Sequence, residues 1–239
     1  MEELKFRPSM NAISKIASFV GYGNLAAPVW FFGFEEGLGR MKDGDAETNL
    51  KSRGNFNETM DLYNAHLGLV EGGRKVDIAV DPPTTQVWKF MAKIMLARSG
   101  CRDWLDPNLV KTYIKKDLGR SGGETFLTEL SPIPSKCSRD GSWIARFKAW
   151  DSGIDAKIKQ RAVALGKLIS DQSPPKVICY GRGRANEFAK LLEVEWRKVP
   201  GCPNVDSAKD GRYLMLPFFG NGHMSHKVIE DLLNSGLLS

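Results

Sequence analysis

IDAKIKQRAVALGKLISDQSPPKVICYGRGRANEFAKLL, residues 154 to 192, runs a helix pattern, a strand pattern and a second helix pattern in succession. Apolar residues recur at three- and four-residue intervals up to residue 172, and Pro174 and Pro175 then stop the pattern. KVICY (176 to 180) is a short apolar run with β-branched residues, the composition of a buried strand. GRGR turns the chain into ANEFAKLLEVEW (185 to 196), which is amphipathic at helical spacing. Helix, strand, glycine turn, helix is the rhythm of a mostly parallel sheet, because parallel strands need crossover connections.

Working outward, APVWFFGF (27 to 34), TFLTEL (125 to 130) and RYLMLPFF (212 to 219) share the character of KVICY. TTQVWKFMAKIMLARSG (84 to 100) and SHKVIEDLL (225 to 233) add helices between or after them. The expectation is an α/β fold of three layers, α/β/α, around a central, mostly parallel four-stranded sheet. One domain is expected over residues 1 to 239, with residues 1 to 26 as an N-terminal helical extension. Such a sheet places its ligand site at the carboxyl ends of its strands. EEGLGR (35 to 40), SPIPSK (131 to 136), GRGR (181 to 184) and GNGHMSH (220 to 226) follow the four strands, so these turns should meet along one edge.

Composition narrows the function classes. The chain has 239 residues, 42% of them hydrophobic, and a net charge of +6, which favours polyanionic partners. The N-terminal stretch lacks the layout of a secretory signal, and no run of about 20 apolar residues occurs, so a cytoplasmic location without a membrane is expected. The four cysteines, Cys101, Cys137, Cys179 and Cys202, are scattered, with no CxxC and no nearby histidine. That spacing indicates ordinary thiols, with neither a zinc site nor a disulfide framework.

The order of four motifs carries a resemblance. GFEEG (33 to 37), TELSPIPS (128 to 135), VICYGRGRANEFAKLL (177 to 192) and GHMS (222 to 225) stand where the uracil-DNA glycosylase superfamily has four comparable motifs. These are a glycine-bounded acidic or polar turn, an Asn-bearing strand, a strand ending in glycine before a helix, and a final strand opening into His-Pro-Ser. Across residues 28 to 237 the chain resembles that superfamily. The resemblance implies a monofunctional DNA glycosylase that flips out and hydrolytically excises uracil or a related lesion base in base-excision repair. Its partner would be DNA containing a damaged base, the protein would be a monomer, and no cofactor or metal would be needed. Some branches hold an iron–sulfur cluster on four cysteines including an N-terminal pair, but here no cysteine precedes Cys101.

Cutting a base from deoxyribose leaves a cationic sugar and an anionic base, so the site must stabilise both and position water. The resemblance gives the water-positioning role to Glu35, with Glu36 as its rival; two glutamates after a strand would also suit a helix N-terminus. It gives His223 the hydrogen bond to the departing base, Ser225 a phosphate, and Phe56 the stacking face for the flipped base, with Tyr63 in reserve and Phe34 also beside the base. Ser225 also suits the N-cap of the helix that follows. Glu129 stands where most members have an asparagine that pairs with uracil; an ionised carboxylate accepts N3–H but repels O4. Met224 replaces the family's proline and is a candidate DNA wedge. Ser135, Lys136, Gly181, Arg182, Arg184 and His226 complete the expected DNA-contacting set, the GRGR backbone cradling a phosphate. The departures at Glu129 and Met224 keep open a non-catalytic DNA or abasic-site binder. A dinucleotide-binding module built on GRGRAN is disfavoured, because the third glycine and a suitably placed acidic partner are absent.

Overall fold

The computed structural model describes residues 7–37, 43–71, 74–75, 77–78, 80, 85–135 and 142–238. In chain order the strands are β1 (Gly21–Gly23), β2 (Val29–Gly37), β3 (Thr59–Met60), β4 (Val70–Glu71), β5 (Arg74–Lys75), β6 (Thr125–Ser135), β7 (Lys176–Tyr180), β8 (Arg197–Val199), β9 (Cys202–Ala208) and β10 (Tyr213–Leu216). The helices are α1 (Met10–Ser18), α2 (Asp43–Arg53), α3 (Leu62–His66), α4 (Gln86–Arg98), α5 (Pro107–Lys116), α6 (Ser142–Trp150), α7 (Ile154–Gln172), α8 (Ala185–Leu192) and α9 (His226–Asn234).

Among the described residues the sheet has eight strands in the order β3-β1-β6-β2-β7-β10-β9-β8, where the sequence pattern predicts four. Those four, β6, β2, β7 and β10, are its adjacent, mutually parallel centre. The additional strands are short flanks: β1 and β9 pair antiparallel to the central block, and β3 and β8 lie outside them. The N-terminal segment is therefore not only helical, because Gly21–Gly23 joins the sheet beside β6.

Local chemistry explains the helix limits. Thr85 caps α4 by accepting from the Trp88 N–H at 3.3 Å, and Asp106 caps α5 just before Pro107. α7 ends where Ser173 turns left-handed before Pro174, and α8 ends at Leu192 because Glu193 takes φ 52°, short of the predicted residue 196.

Alternation along the strands sorts side chains onto two faces. Val29, Phe31, Leu127, Ile178, Tyr180, Leu214 and Leu216 join the cluster that includes α4, α5 and α9. Trp30, Phe32, Phe126, Val177, Cys179 and Met215 pack on the other face against α7 and α8. Phe31 and Phe32 are fully buried, and each phenylalanine so buried contributes about 2 kcal/mol. Helices on both faces of a mostly parallel centre make a layered α/β architecture.

Arg161 of α7 ties the N-terminal strand to this centre. Its guanidinium donates to the carbonyls of Phe19 (2.5 Å), Val20 (3.2 Å), Glu129 (2.9 Å) and Leu130 (3.0 Å). Burial pushes its pKa down to about 10, opposed by the nearby Glu129 charge, so it remains cationic at neutral pH.

Candidate functional site at the carboxyl edge of the sheet

The order β6-β2-β7-β10 sets the ends of these four strands side by side, with a reversal of strand order at β2, where β6 lies on one side and β7 on the other. In such sheets that crevice is where ligands bind. Glu129 of β6 is in register with Gly33 of β2, and Tyr180 of β7 comes one residue after the Phe32–Cys179 pairing. The three residues thus form one row across three strands, on the face shared with Phe31 and Leu127.

The row is closely fitted. The Tyr180 hydroxyl donates to Glu129 Oε1 at 2.6 Å. A methyl at Gly33 would lie 1.9 Å from Glu129 Oε2 and 2.4 Å from the Tyr180 oxygen, so only glycine leaves room for the pair. Glu35, two residues beyond Gly33, returns to the same face about 7 Å further along the strand, beside Ser131 of β6.

Tyr180 also anchors an aromatic array. Its ring stacks on Phe219 at 4.5 Å and 11°, and lies 6.4 Å from Phe218 at 27°. Phe219 is buried, whereas Phe218 is 38% exposed. A side chain at Gly220 would come within 2.7 Å of the Phe218 ring, so this glycine lets the ring lie over its own backbone. From Phe219 the contacts continue to Phe90 (6.2 Å), and from Phe90 to His226 (5.9 Å).

The predicted residues fall into three groups. Glu35 and Glu129 share a face, and His223 lies in the exposed turn beyond β10, where Asn221 and Gly222 take φ of 54° and 74°. Since β7 separates β2 from β10, the two strands lie about 10 Å apart. Ser225 stands at the N-cap of α9, but its hydroxyl makes no capping bond and is exposed.

A second group is placed elsewhere. Phe34 turns to the opposite face, where the Arg184 guanidinium covers its ring at 4.1 Å and pairs with Glu187 at 3.0 Å. Arg182 is ion-paired with Asp206 at 2.6 Å, and the Gly181 N–H donates to the Leu216 carbonyl at 3.1 Å, so both are engaged within the fold. Met224 is buried at 5% exposure in the core, which removes it as a wedge, because a wedge must reach solvent to enter DNA. Phe56 is likewise core, at 6% exposure against Phe19 (5.5 Å). Tyr63 lies half-buried under Arg120. His226 links α9 to α4: its Nε2 is 2.8 Å from Lys93 Nζ, and burial and that cation hold its pKa below the usual imidazole value.

The side chains of Glu36 and Ser135, and all of Lys136, lie outside the described residues. Three residues the sequence reading missed, Gly33, Tyr180 and Phe218, complete the site. Tyr180 and Phe218 look like ordinary strand aromatics in KVICY and RYLMLPFF, and only the register of β7 against β2 and β10 distinguishes them.

Among the described residues no group of three or more His, Cys, Asp or Glu side chains is arranged to hold a metal ion, and no helix is long and apolar enough to cross a membrane. The chain matches no protein-family model, no curated protein and no solved structure.

Proposed function

We propose that the protein is a monofunctional DNA glycosylase that flips a modified base from the helix and hydrolyses its bond to deoxyribose. The observation that carries this reading is the juxtaposition of Glu35 and the Glu129–Tyr180 pair on one sheet face at the carboxyl ends of adjacent strands. Glu35 orients a water toward the sugar carbon and accepts its proton as the new C–O bond forms, and its charge favours the cationic sugar. His223 donates a hydrogen bond to the departing base as negative charge develops there, and the base leaves with the electron pair of the broken bond. Glu129, held by Tyr180, meets the edge of the flipped base. The chain's net charge of +6 favours a polyanionic substrate, and binding weakens with salt.

A second reading is a non-catalytic binder of DNA or abasic sites, favoured by Glu129 in the place where the resembling family has asparagine. One assay separates the two. Labelled oligonucleotides carrying uracil, hypoxanthine, xanthine, hydroxymethyluracil or 8-oxoguanine are incubated with the protein in EDTA, and abasic sites are cleaved with alkali. Strand breaks at a modified base support the enzyme. Intact strands on every substrate, with retained affinity for abasic DNA, support the binder.

A further inference from the structure

We infer that Lys93 and His226 form a carbonyl-reactive amine site, in which the lysine nitrogen bonds to the aldehyde carbon of an open-chain, phosphorylated deoxyribose.

The pair joins α4 to α9. Lys93 Nζ lies 2.8 Å from His226 Nε2 and 5.3 Å over the Phe90 ring. The imidazole in turn sits 5.9 Å from both Phe90 and Trp104, two buried rings that limit water around the contact. Other lysines of the fold meet carboxylates: Lys148, Lys157, Lys167, Lys198 and Lys227 are each ion-paired with an aspartate. Among the described residues Lys93 has no such partner, and its contact is the imidazole. Two nitrogens this close share one proton, the ammonium donating to a neutral ring, because charging both is costly. Burial first, then Lys89 one turn earlier, holds Lys93 below the usual ammonium range. Burial and Lys93 do the same to the imidazole, with Glu230 of α9 opposing. A lysine so placed gives up its proton more readily than an exposed one, and the neutral amine is the nucleophile.

The pair supplies the proton transfers that imine formation needs. His226 Nε2 takes a proton from the Lys93 ammonium, the freed lone pair attacks the aldehyde carbon, and the imidazolium returns the proton to the carbonyl oxygen. His226 then carries a second proton from the nitrogen to the new hydroxyl. The C–O bond breaks, water leaves, and the nitrogen lone pair closes the C=N bond. One ammonium and one aldehyde thus give one protonated imine and one water, and no strand is cut.

α9 begins at His226, directly after the turn that carries His223, so the amine lies at the same edge of the sheet. Lys89 places a second cation beside it, suited to a phosphate. Excision of a base leaves such an aldehyde at C1′ of deoxyribose. DNA as the source therefore rests on the proposed excision, whereas free 2-deoxyribose 5-phosphate offers the same carbonyl without it.

The test is reductive trapping of the intact protein with cyanoborohydride, using an oligonucleotide with a preformed abasic site or 2-deoxyribose 5-phosphate. Peptide mass spectrometry locates the adduct. Lys227, whose pKa is raised by its bond to Asp231, is the internal control. Lys93 should be trapped at least about tenfold faster than Lys227. His226→Gln should slow trapping at Lys93 about a hundredfold, the usual share of a positioned base. Lys93→Arg keeps the charge and should abolish the main adduct. Reaction with either probe supports the site, and the probe that reacts names the source. Equal labelling of Lys93 and Lys227, an unchanged rate in His226→Gln, undiminished adduct in Lys93→Arg, or no adduct with either probe would each overturn the inference.

Both probes arrive with the aldehyde already formed, so trapping needs no excision. Adducts at Lys93 without release of any base keep the amine site and remove the glycosylase. Base release by a protein that forms no adduct does the reverse.

Discussion

Beyond Phe31, one face of the sheet carries Gly33, the Glu129–Tyr180 pair and Glu35; beyond Phe32, the other carries Phe34 and Arg184. The second arrangement is internally balanced. Arg184 lies between the Phe34 ring and Glu187, and neighbouring Arg182 shares Asp206 with Lys198. On the first face the strands gather acids and aromatics whose positions depend on two missing side chains, at Gly33 and Gly220. A basic glycine turn after a strand thus acts as a clasp between β7 and β9, whereas the other face sets Glu35 and Glu129 in one row.

The largest effect is expected at Glu35. Glu35→Gln keeps the shape but removes the charge and the base, and should lower the single-turnover excision rate by about a hundred- to ten-thousandfold. His223→Ala should cost about a hundred- to a thousandfold, because a donor to the leaving group acts in the transition state. A rate within about twofold of the parent would remove that role from His223.

Gly33→Ala sharpens the comparison on stability. The added methyl overlaps the Glu129–Tyr180 pair, so urea denaturation should show a loss of about 1 to 3 kcal/mol, the usual penalty for overpacking. Wild-type stability in this variant would mean that the row is looser than the contacts indicate.

Arg182→Ala and Arg184→Ala should leave the dependence of DNA affinity on salt nearly unchanged, since both groups are engaged within the fold. A phosphate contact would instead reduce the slope of log K against log salt by about 0.9 for each arginine removed.

The smallest effect concerns pH. His226 has its pKa lowered in the folded protein, first by burial and then by Lys93. As pH falls below the unfolded imidazole value of 6.5, the unfolded chain takes the proton first, so stability present above that pH is lost below it. Urea midpoints measured on either side of that value should show the loss, and His226→Gln should reduce it.

The central strands β2, β6, β7 and β10 were legible because strands buried on both faces are written as continuous apolar runs. The flanks were not: β1 is GYG, β8 is RKV, and β9 carries Pro203, Asn204 and Asp206, so none has the alternation that marks a strand. Glu35 and Glu129 were legible as acids at strand ends. Phe56 and Phe218 are both aromatics near polar turns, and which one is exposed depends on what packs over each. Gly33 and Tyr180 matter through register, a relation between segments about 150 residues apart that local pattern does not contain.

The most direct test of the central claim is single-turnover release of free base, followed by mass spectrometry, from DNA carrying a modified base, with the parent protein and Glu35→Gln compared in EDTA. Base release by the parent and its near loss in the variant, with DNA affinity retained, is the expected result. Release at equal rates by both proteins, or by neither, would contradict it.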